Sequence, residues 1–260
     1  MASLIPLLLY GLAVGISLGL TGGGGSIITV PLLVYCIGEP VHVAIPTSLF
    51  VVGATALGGY LRRLSQAQSF DGCMVGLAGL FGAVPGRLAA EAFSGRMLLL
   101  LFSLIMLVAA IFMFRSKTYA PRSQQRPHWL LVSAVGIGIG FLTGFLGVGG
   151  GFLIVPGLVL LLGLGMSAAI PTSLLVIAIN CASSLLGPLL IGKGEASLGR
   201  IEWHVAVPFV AGGLVGALIG GALAGRLDQR TLKQVFAVFL FVVAAFVMLS
   251  ATGAIPLRVK

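Results

Sequence analysis

The sequence predicts an all-α integral membrane protein made of two homologous helical repeats, and its composition and internal repetition are the observations that predict it. Of its 260 residues, 58% are hydrophobic and only 8% are charged, and its mean hydropathy is +1.17. A soluble domain has about 25% charged residues, so this chain cannot cover itself with a water-facing surface. Several apolar stretches reach the roughly 18 residues that a membrane-spanning helix requires. We therefore expect a multi-pass protein in contact with the lipid bilayer.

One segment of the chain occurs twice, at an offset of 125 residues. Residues 15–34, GISLGLTGGGGSIITVPLLV, are identical at nine of twenty positions to residues 140–159, GFLTGFLGVGGGFLIVPGLV. At the same offset, AIPTSLFV at 44–51 matches AIPTSLLV at 169–176 in seven of eight positions. Two matches in one register predict a duplication. Interrupted apolar segments at corresponding places of two halves are typical of secondary transporters. The predicted organisation is a first membrane repeat at 1–114, a basic linker at 115–128 and a second repeat at 129–260.

Each half has the same order of apolar segments. Between its first and second long segments comes a glycine-rich break, followed by a short apolar stretch at 27–37 or 152–164. Eleven helical residues cover only about 16 Å, roughly half of a 30 Å hydrocarbon layer, so we expect half-helices there. The remaining segments are expected to cross the membrane; they are 4–20, 41–61, 70–92 and 97–114 in the first half, and 129–146, 168–191, 205–224 and 235–250 in the second.

The linker predicts the orientation of the chain. RSKTYAPRSQQRP, at 115–127, carries four basic residues and no acidic residue, which places it in the cytoplasm by the positive-inside rule. Arg62 and Arg63, two crossings earlier, are then cytoplasmic as well. The repeats are inverted if each half crosses an odd number of times and parallel if the number is even. The Lys and Arg counts do not decide between these, and we expect inverted repeats around a midplane site.

The two glycine breaks are the first candidate for a binding site. A non-helical break at membrane depth exposes N–H groups, and the half-helix that follows adds the positive end of its dipole. Such N–H groups bind anions without a buried cation. The alternative is that the glycines only allow tight helix packing. We expect Pro31 and Pro156 near the first turn of the half-helices. The predicted substrate-binding residues are Thr21, Gly22, Gly23, Gly24, Gly25, Ser26, Gly147, Gly149, Gly150 and Gly151.

A second candidate is the repeated Pro-Thr-Ser, with Thr47 and Ser48 in one half and Thr172 and Ser173 in the other. These hydroxyls either face the cavity as donors to substrate oxygens, or bond the backbone that the proline leaves unpaired. Asn180 lies two helical turns beyond Ser173 on the same face, and is a further candidate polar contact. Its counterpart in the first copy is Thr55.

Arg87 and Glu91 are the charges that intrude furthest into a long segment. Their i, i+4 spacing allows them to pair with each other, and Arg87 near a segment end can also snorkel to the interface. The alternative makes Arg87 a bidentate partner for an oxyanion. Asp71 and Glu202 each begin a segment and are expected at the interface, with proton coupling as the second possibility.

On the duplicated G-x-G-G-x-x-(I/L)-x-V-P element at 22–31 and 147–156, together with the duplicated Ala-Ile-Pro-Thr-Ser, the chain resembles the TauE/SafE family of membrane proteins, often called sulfite exporters. The resemblance spans nearly the whole length. It implies export or exchange of small sulfur-containing anions, such as sulfite, sulfonates or sulfoacetate, typically in a prokaryotic inner membrane. The two copies differ, since Val148 stands where the first has Gly23 and Leu146 where it has Thr21. The second break is therefore expected to be less polar.

These observations predict a secondary transporter of a small oxyanion that is coupled to protons and is not an enzyme. No ATP-binding loop occurs in the sequence, and its cysteines and histidines have no metal-ligand spacing. We expect no cofactor and no metal. The net charge of +9 reflects basic loops rather than a nucleic-acid site. A passive anion channel and a membrane-embedded structural subunit are the alternatives, and a homodimer is left open.

Overall fold

The computed structural model describes residues 4–90, 92–93, 95–115, 128–146, 151–190, 199 and 201–251, and the regular structure among them is helical, with no strand. The helices are α1 Leu4–Thr21, α2 Gly24–Pro31, α3 Val41–Arg62, α4 Ser69–Ala90, α5 Gly95–Arg115, α6 Trp129–Leu146, α7 Gly151–Pro156, α8 Met166–Leu190, α9 Trp203–Arg226 and α10 Gln229–Ala251. By length and composition, six of them can cross a membrane: α1, α3, α4, α8, α9 and α10. The predicted all-α membrane class is confirmed.

The half-helices begin within the glycine breaks and change type at a proline. α2 continues as a π-helical segment over Leu32–Ile37, and α7 continues as one over Gly157–Leu161. Pro31 and Pro156 are the last residues of α2 and α7, so the prediction that they lie near the first turn is wrong. A proline past the first turn lacks the N–H and crowds the carbonyl four residues earlier. A wider π turn directly follows each proline, and such turns are rare outside single-turn insertions.

Two pairs of helices pack with their backbones in contact through glycine. In the pair α1–α9, a Cβ on Gly11 would overlap the carbonyl oxygen of Phe209, and one on Gly15 would overlap that of Gly213. The pair α4–α6 is built in the same way, with Gly82 against the Ile137 carbonyl. Residue numbers rise together in both pairs, so the helices of each pair run in the same direction. Small residues allow this close approach between membrane helices.

α3 and α8 cross at the centre of the molecule. Gly53 of α3 faces Cys181 of α8, and Gly59 faces Leu174. Since the first number rises while the second falls, the two helices are antiparallel. α3 also runs parallel to α9, where Thr55 faces Gly213, and α8 runs parallel to α4, where Thr172 and Ile179 face successive glycines.

These contacts fix the direction of the chain. α1, α3 and α9 begin on one side, which we call the terminal face. α3 and α9 end on the other side, which we call the linker face, and α4, α6 and α8 begin there. α2 folds back along α1, because Gly25 lies against Val14 and Leu18. Each helix of the second half thus runs opposite to its positional counterpart in the first. Inverted repeats require these directions, and a common origin of the halves stays a prediction.

The topology predicts where the ends of the chain lie. A reporter that is active only in the cytoplasm should give no signal when it is fused after Lys260, and a signal when it is inserted within residues 115–127. The reason is that α10 starts at the linker face and crosses to the terminal face, while the basic linker is expected in the cytoplasm. Cytoplasmic signals at both positions would contradict the helix directions.

The glycine contacts predict a difference between two neighbouring positions of α6. Gly140→Ala places a Cβ against the carbonyl oxygen of Gly79, whereas a Cβ on Gly138 meets nothing within 4 Å. We expect Gly140→Ala to lower the unfolding free energy in detergent by about 1–3 kcal/mol, the usual cost of overpacking. Gly138→Ala is the matched control and should be neutral or slightly stabilising. Equal stability of the two variants would refute the α4–α6 backbone contact.

Candidate functional site

The first glycine break contacts Gly151, the first residue of α7, and this contact is the candidate site. A Cβ on Gly23 would overlap the carbonyl oxygen of Gly151, and one on Gly151 would lie 2.6 Å from Ser26 Oγ. α2 and α7 therefore face each other through their N-terminal ends. Gly151 also faces Ile177, which lies near the middle of α8. The remaining predicted glycines of the second break, Gly147, Gly149 and Gly150, lie outside the described residues.

The first break is a tight turn held by its own hydroxyls. Gly22 has φ +74°, a conformation that glycine adopts readily, and its N–H donates to the Leu18 carbonyl. Thr21 Oγ1 accepts from the N–H of Gly24 at 2.9 Å and donates to Ser17 O at 2.6 Å. Ser26 Oγ donates to the Gly23 carbonyl at 2.7 Å. Thr21 thus provides the acceptor for the start of α2.

This arrangement leaves backbone N–H groups as the donors for a ligand. The first residues of a helix have N–H groups without an intrahelical acceptor, and in α2 Thr21 accepts only from that of Gly24. The hydroxyl hydrogens of Thr21 and Ser26 already point at carbonyl oxygens. The N–H groups of Gly25 and Ser26 remain, at the positive end of the α2 dipole. Gly22 to Gly25 are all buried.

The serines of the Pro-Thr-Ser elements bond backbone carbonyls. Ser173 Oγ lies 2.7 Å from the carbonyl oxygens of both Gly22 and Ile170, so it joins α8 to the first glycine break. Ser48 Oγ donates to Ile45 O of its own helix. Ser173 therefore lies at the candidate site, whereas Ser48 is bonded within α3.

The threonines of the same elements accept backbone N–H groups from the other half. Thr47 Oγ1 accepts from Glu202 N at 3.2 Å, just before α9, and Thr172 Oγ1 accepts from Gln68 N at 2.9 Å, just before α4. Both threonines are fully buried. The first bond lies towards the terminal face and the second towards the linker face, so one threonine bond joins the halves at each face.

Asn180 and Thr55 lie in the region where α3 and α8 cross. Asn180 Oδ1 and Thr55 Oγ1 are buried and have no hydrogen-bond partner among the described residues. A buried polar atom without a partner costs about 1–3 kcal/mol, and such atoms often mark a water or ligand position. Thr55 was identified in the sequence as the counterpart of Asn180, but only the asparagine was predicted to bind.

Of the charged residues Arg87, Glu91 and Asp71 singled out in the sequence, only Asp71 has its side chain among the described residues. Arg87 belongs to the last turns of α4, but its side chain and the whole of Glu91 lie outside the described residues. Asp71, expected at the interface, is buried, with 6% of its surface exposed. It precedes Gly72, which faces Thr172. Asp71 therefore lies near the contact between α4 and α8.

Phe239 of α10 covers the first glycine break and was missed by sequence reasoning. A Cβ on Gly24 would lie 2.6 Å from Phe239 Cε1 and 2.7 Å from Thr21 Oγ1. The aromatic ring therefore packs directly on the backbone of Gly24. Nothing in the local sequence distinguishes this phenylalanine from the others of α10, because the contact joins residues more than 200 positions apart.

The threonine bond predicts a stability effect. Thr172→Val should lower the unfolding free energy in detergent by about 1–2 kcal/mol, because the Gln68 N–H loses its acceptor. Hydrogen exchange around Gln68 should become faster. Thr172→Ser, which retains the oxygen, is the control and should preserve most of the protection. Unchanged exchange in the valine variant, together with weaker anion binding, would instead favour direct contact of Thr172 with substrate.

Comparison with known proteins gives a consistent set of relatives. A family model described as "Sulfite exporter TauE/SafE" matches residues 7–247. A probable membrane transporter protein of Xylella fastidiosa (strain 9a5c) is 34% identical over 256 residues, which cover 95% of each chain. The probable membrane transporter protein YdhB of Bacillus subtilis (strain 168) is 28% identical over 239 residues, covering 87% of this chain and 91% of its own. A probable membrane transporter protein of Methanocaldococcus jannaschii is 25% identical over 236 residues, covering 87% of each.

Proposed function

The chain belongs to the sulfite exporter TauE/SafE family, and from this premise we propose that it is a secondary transporter that exports or exchanges a small sulfur-containing oxyanion. The chemical class comes from the family description. The site that we assign to it is the meeting point of α2 and α7. Sulfite, sulfonates and sulfoacetate all present several negatively charged oxygens to such a site.

The observation that carries this proposal is the contact between Gly23 and Gly151. It brings the N-terminal ends of two half-helices together, and both dipoles then favour negative charge at one point. The surrounding sequence adds no opposing charge, because residues 1–38 and 128–194 contain no Asp or Glu. Backbone N–H groups of Gly25 and Ser26 bind the anion, while Thr21 and Ser173 hold the break in shape.

Proton coupling is part of the proposal, and Asp71 is its candidate. Its carboxyl group is buried on α4 beside the contact with Thr172. A carboxyl group in such surroundings can change charge together with a conformational change. Asp71→Asn should then preserve anion exchange but abolish uphill transport driven by a proton gradient.

Counterflow in proteoliposomes tests the transporter. Vesicles loaded with unlabelled sulfite should accumulate labelled sulfite against its gradient, and sulfate, taurine and acetate as competitors define the substrate class. Flux of sulfite that never exceeds equilibrium would identify a passive channel. A folded protein that neither binds nor moves any of these anions would favour a structural subunit.

Gly24→Val tests the glycine site within this assay. The valine side chain meets Phe239 and displaces Thr21 from the Gly24 N–H, so counterflow should fall to background while membrane insertion and elution as a single species are preserved. Gly138→Val on α6, where a Cβ meets nothing within 4 Å, is the matched control and should transport. Normal flux in a folded Gly24→Val protein would exclude a backbone anion site at this break.

A further inference from the structure

A cavity of about 380 Å³ lies at the linker face, apart from the glycine break. The end of α3, the end of α9 and the start of α10 surround it, and Arg63, Gln66, Ser167 and Gln229 supply its polar lining. Its volume is within the range of small-molecule sites. None of these residues belongs to the anion site described above.

Only one of the two terminal nitrogens of Arg63 has a hydrogen-bond partner among the described residues. Its Nη2 donates to the Gly221 carbonyl at 2.5 Å, which fixes the guanidinium against α9. Its Nη1 is buried and has no hydrogen-bond partner among the described residues. Burial lowers the pKa of Arg63, but a guanidinium retains its charge in proteins. A role as a cap for the α9 carbonyls alone would leave a buried donor of a charged group unpaired, which is costly.

The hydrogen bonds of Gln229 hold its side chain at the edge of the cavity. Gln229 Oε1 accepts from the Met166 N–H at 3.0 Å, and its Nε2 lies 3.3 Å from Ser167 Oγ. Gln229 therefore joins the starts of α10 and α8 and is not free to fold into the space. Gly225 adds no side chain, and a Cβ there would lie 3.3 Å from Arg63 Nη2.

The charge around the cavity favours an anion. Arg226 and Arg230 flank it in sequence, and Asp228 is the single acidic residue in the segments that line it, 60–70, 160–170 and 220–235. The Asp228 carboxylate accepts from the Thr231 N–H at the start of α10, and hydrogen bonds from the side chain of Thr231 first, and then from its backbone, lower the pKa of Asp228. It is therefore charged but occupied at the helix start.

One helix, α10, contacts both the cavity and the glycine break. Leu232 lines the cavity, and Phe239, seven residues further along the same helix, covers Gly24. Seven residues span about 10 Å. An anion held at Arg63 is thus about two helical turns from the site that we assign to transport.

We propose that this cavity is a second anion site, in which the Arg63 guanidinium and the polar lining hold a small oxyanion on its way between the linker face and the glycine break. The substrate class is that of the proposed function, on which this inference rests. Arg63 suits it because a guanidinium makes directional hydrogen bonds to oxyanions.

Titration of the purified full-length protein with sulfite, sulfate and acetate tests the site. Arg63→Gln should weaken sulfite binding about tenfold or more, the loss expected for one charge-assisted hydrogen bond. Arg62→Gln removes the same charge from the adjacent exposed residue and is the matched control, with an affinity within about twofold of wild type. Gly225→Leu, which fills the cavity and crowds the Arg63 guanidinium without removing its charge, should weaken binding as Arg63→Gln does.

The outcomes separate this inference from the proposed function. Unchanged sulfite affinity in a folded Arg63→Gln or Gly225→Leu protein overturns the second site, even where Gly24→Val abolishes counterflow. Weaker binding in both variants, with normal transport by Gly24→Val, supports the cavity and refutes the glycine site. Wild-type protein that binds none of the three anions overturns the second site as well.

Discussion

The structure depends on a helix that is broken at membrane depth and whose free N–H groups have no water to bind. In a bilayer such groups must be satisfied by protein or by a cavity. Thr21 accepts a hydrogen bond from one of them, and the Ser173 hydroxyl donates to the Gly22 carbonyl. The contact of Gly23 with Gly151 then places a second helix start against the first. Because two positive dipole ends repel each other, their meeting is most favourable when an anion lies between them.

The other helix contacts are of two kinds: close contacts between backbones, and contacts made by polar groups. The α1–α9 and α4–α6 pairs have backbone against backbone and leave little freedom to slide. The contacts around α3 and α8 contain the hydroxyls, the amide and the backbone bonds from Gln68 and Glu202. Polar bonds of this kind exchange partners at modest cost, so motion is easiest at the contacts of α3 and α8, rather than within the α1–α9 and α4–α6 pairs.

The sequence was sufficient for features written in local patterns. The apolar segments, the first break and the half-helices follow from composition and spacing, and α2 begins only three residues before the predicted stretch at 27–37. Contacts whose partner lies far along the chain could not be predicted. The sequence predicts that Thr47 and Thr172 either bind substrate or bond their own backbone. Their oxygens accept N–H groups more than 100 positions away, and substrate binding by these threonines stays a prediction. From the sequence, Arg63 is interpreted as an orientation signal, because its contact with Gly221 cannot be inferred from residue spacing. The segment predicted from apolar residues, 235–250, begins later than α10, which starts at Gln229. The first residues of α10 after the Asp228 cap are polar, so the apolar pattern does not include them.

The helix pairs have a consequence for synthesis of the chain. α1 packs on α9, and α6 packs on α4, so each pair takes one helix from each half. Neither repeat is therefore a separate folding unit, although each is a continuous segment of the sequence. The first residue of its partner, Trp203, lies 182 positions after Thr21, the last residue of α1, so α9 is made much later. Until then the glycine surface of α1 faces lipid or the machinery that inserts helices into the membrane. The final pairing is thus a late event, and the first half must wait in the membrane as inserted but unassembled helices.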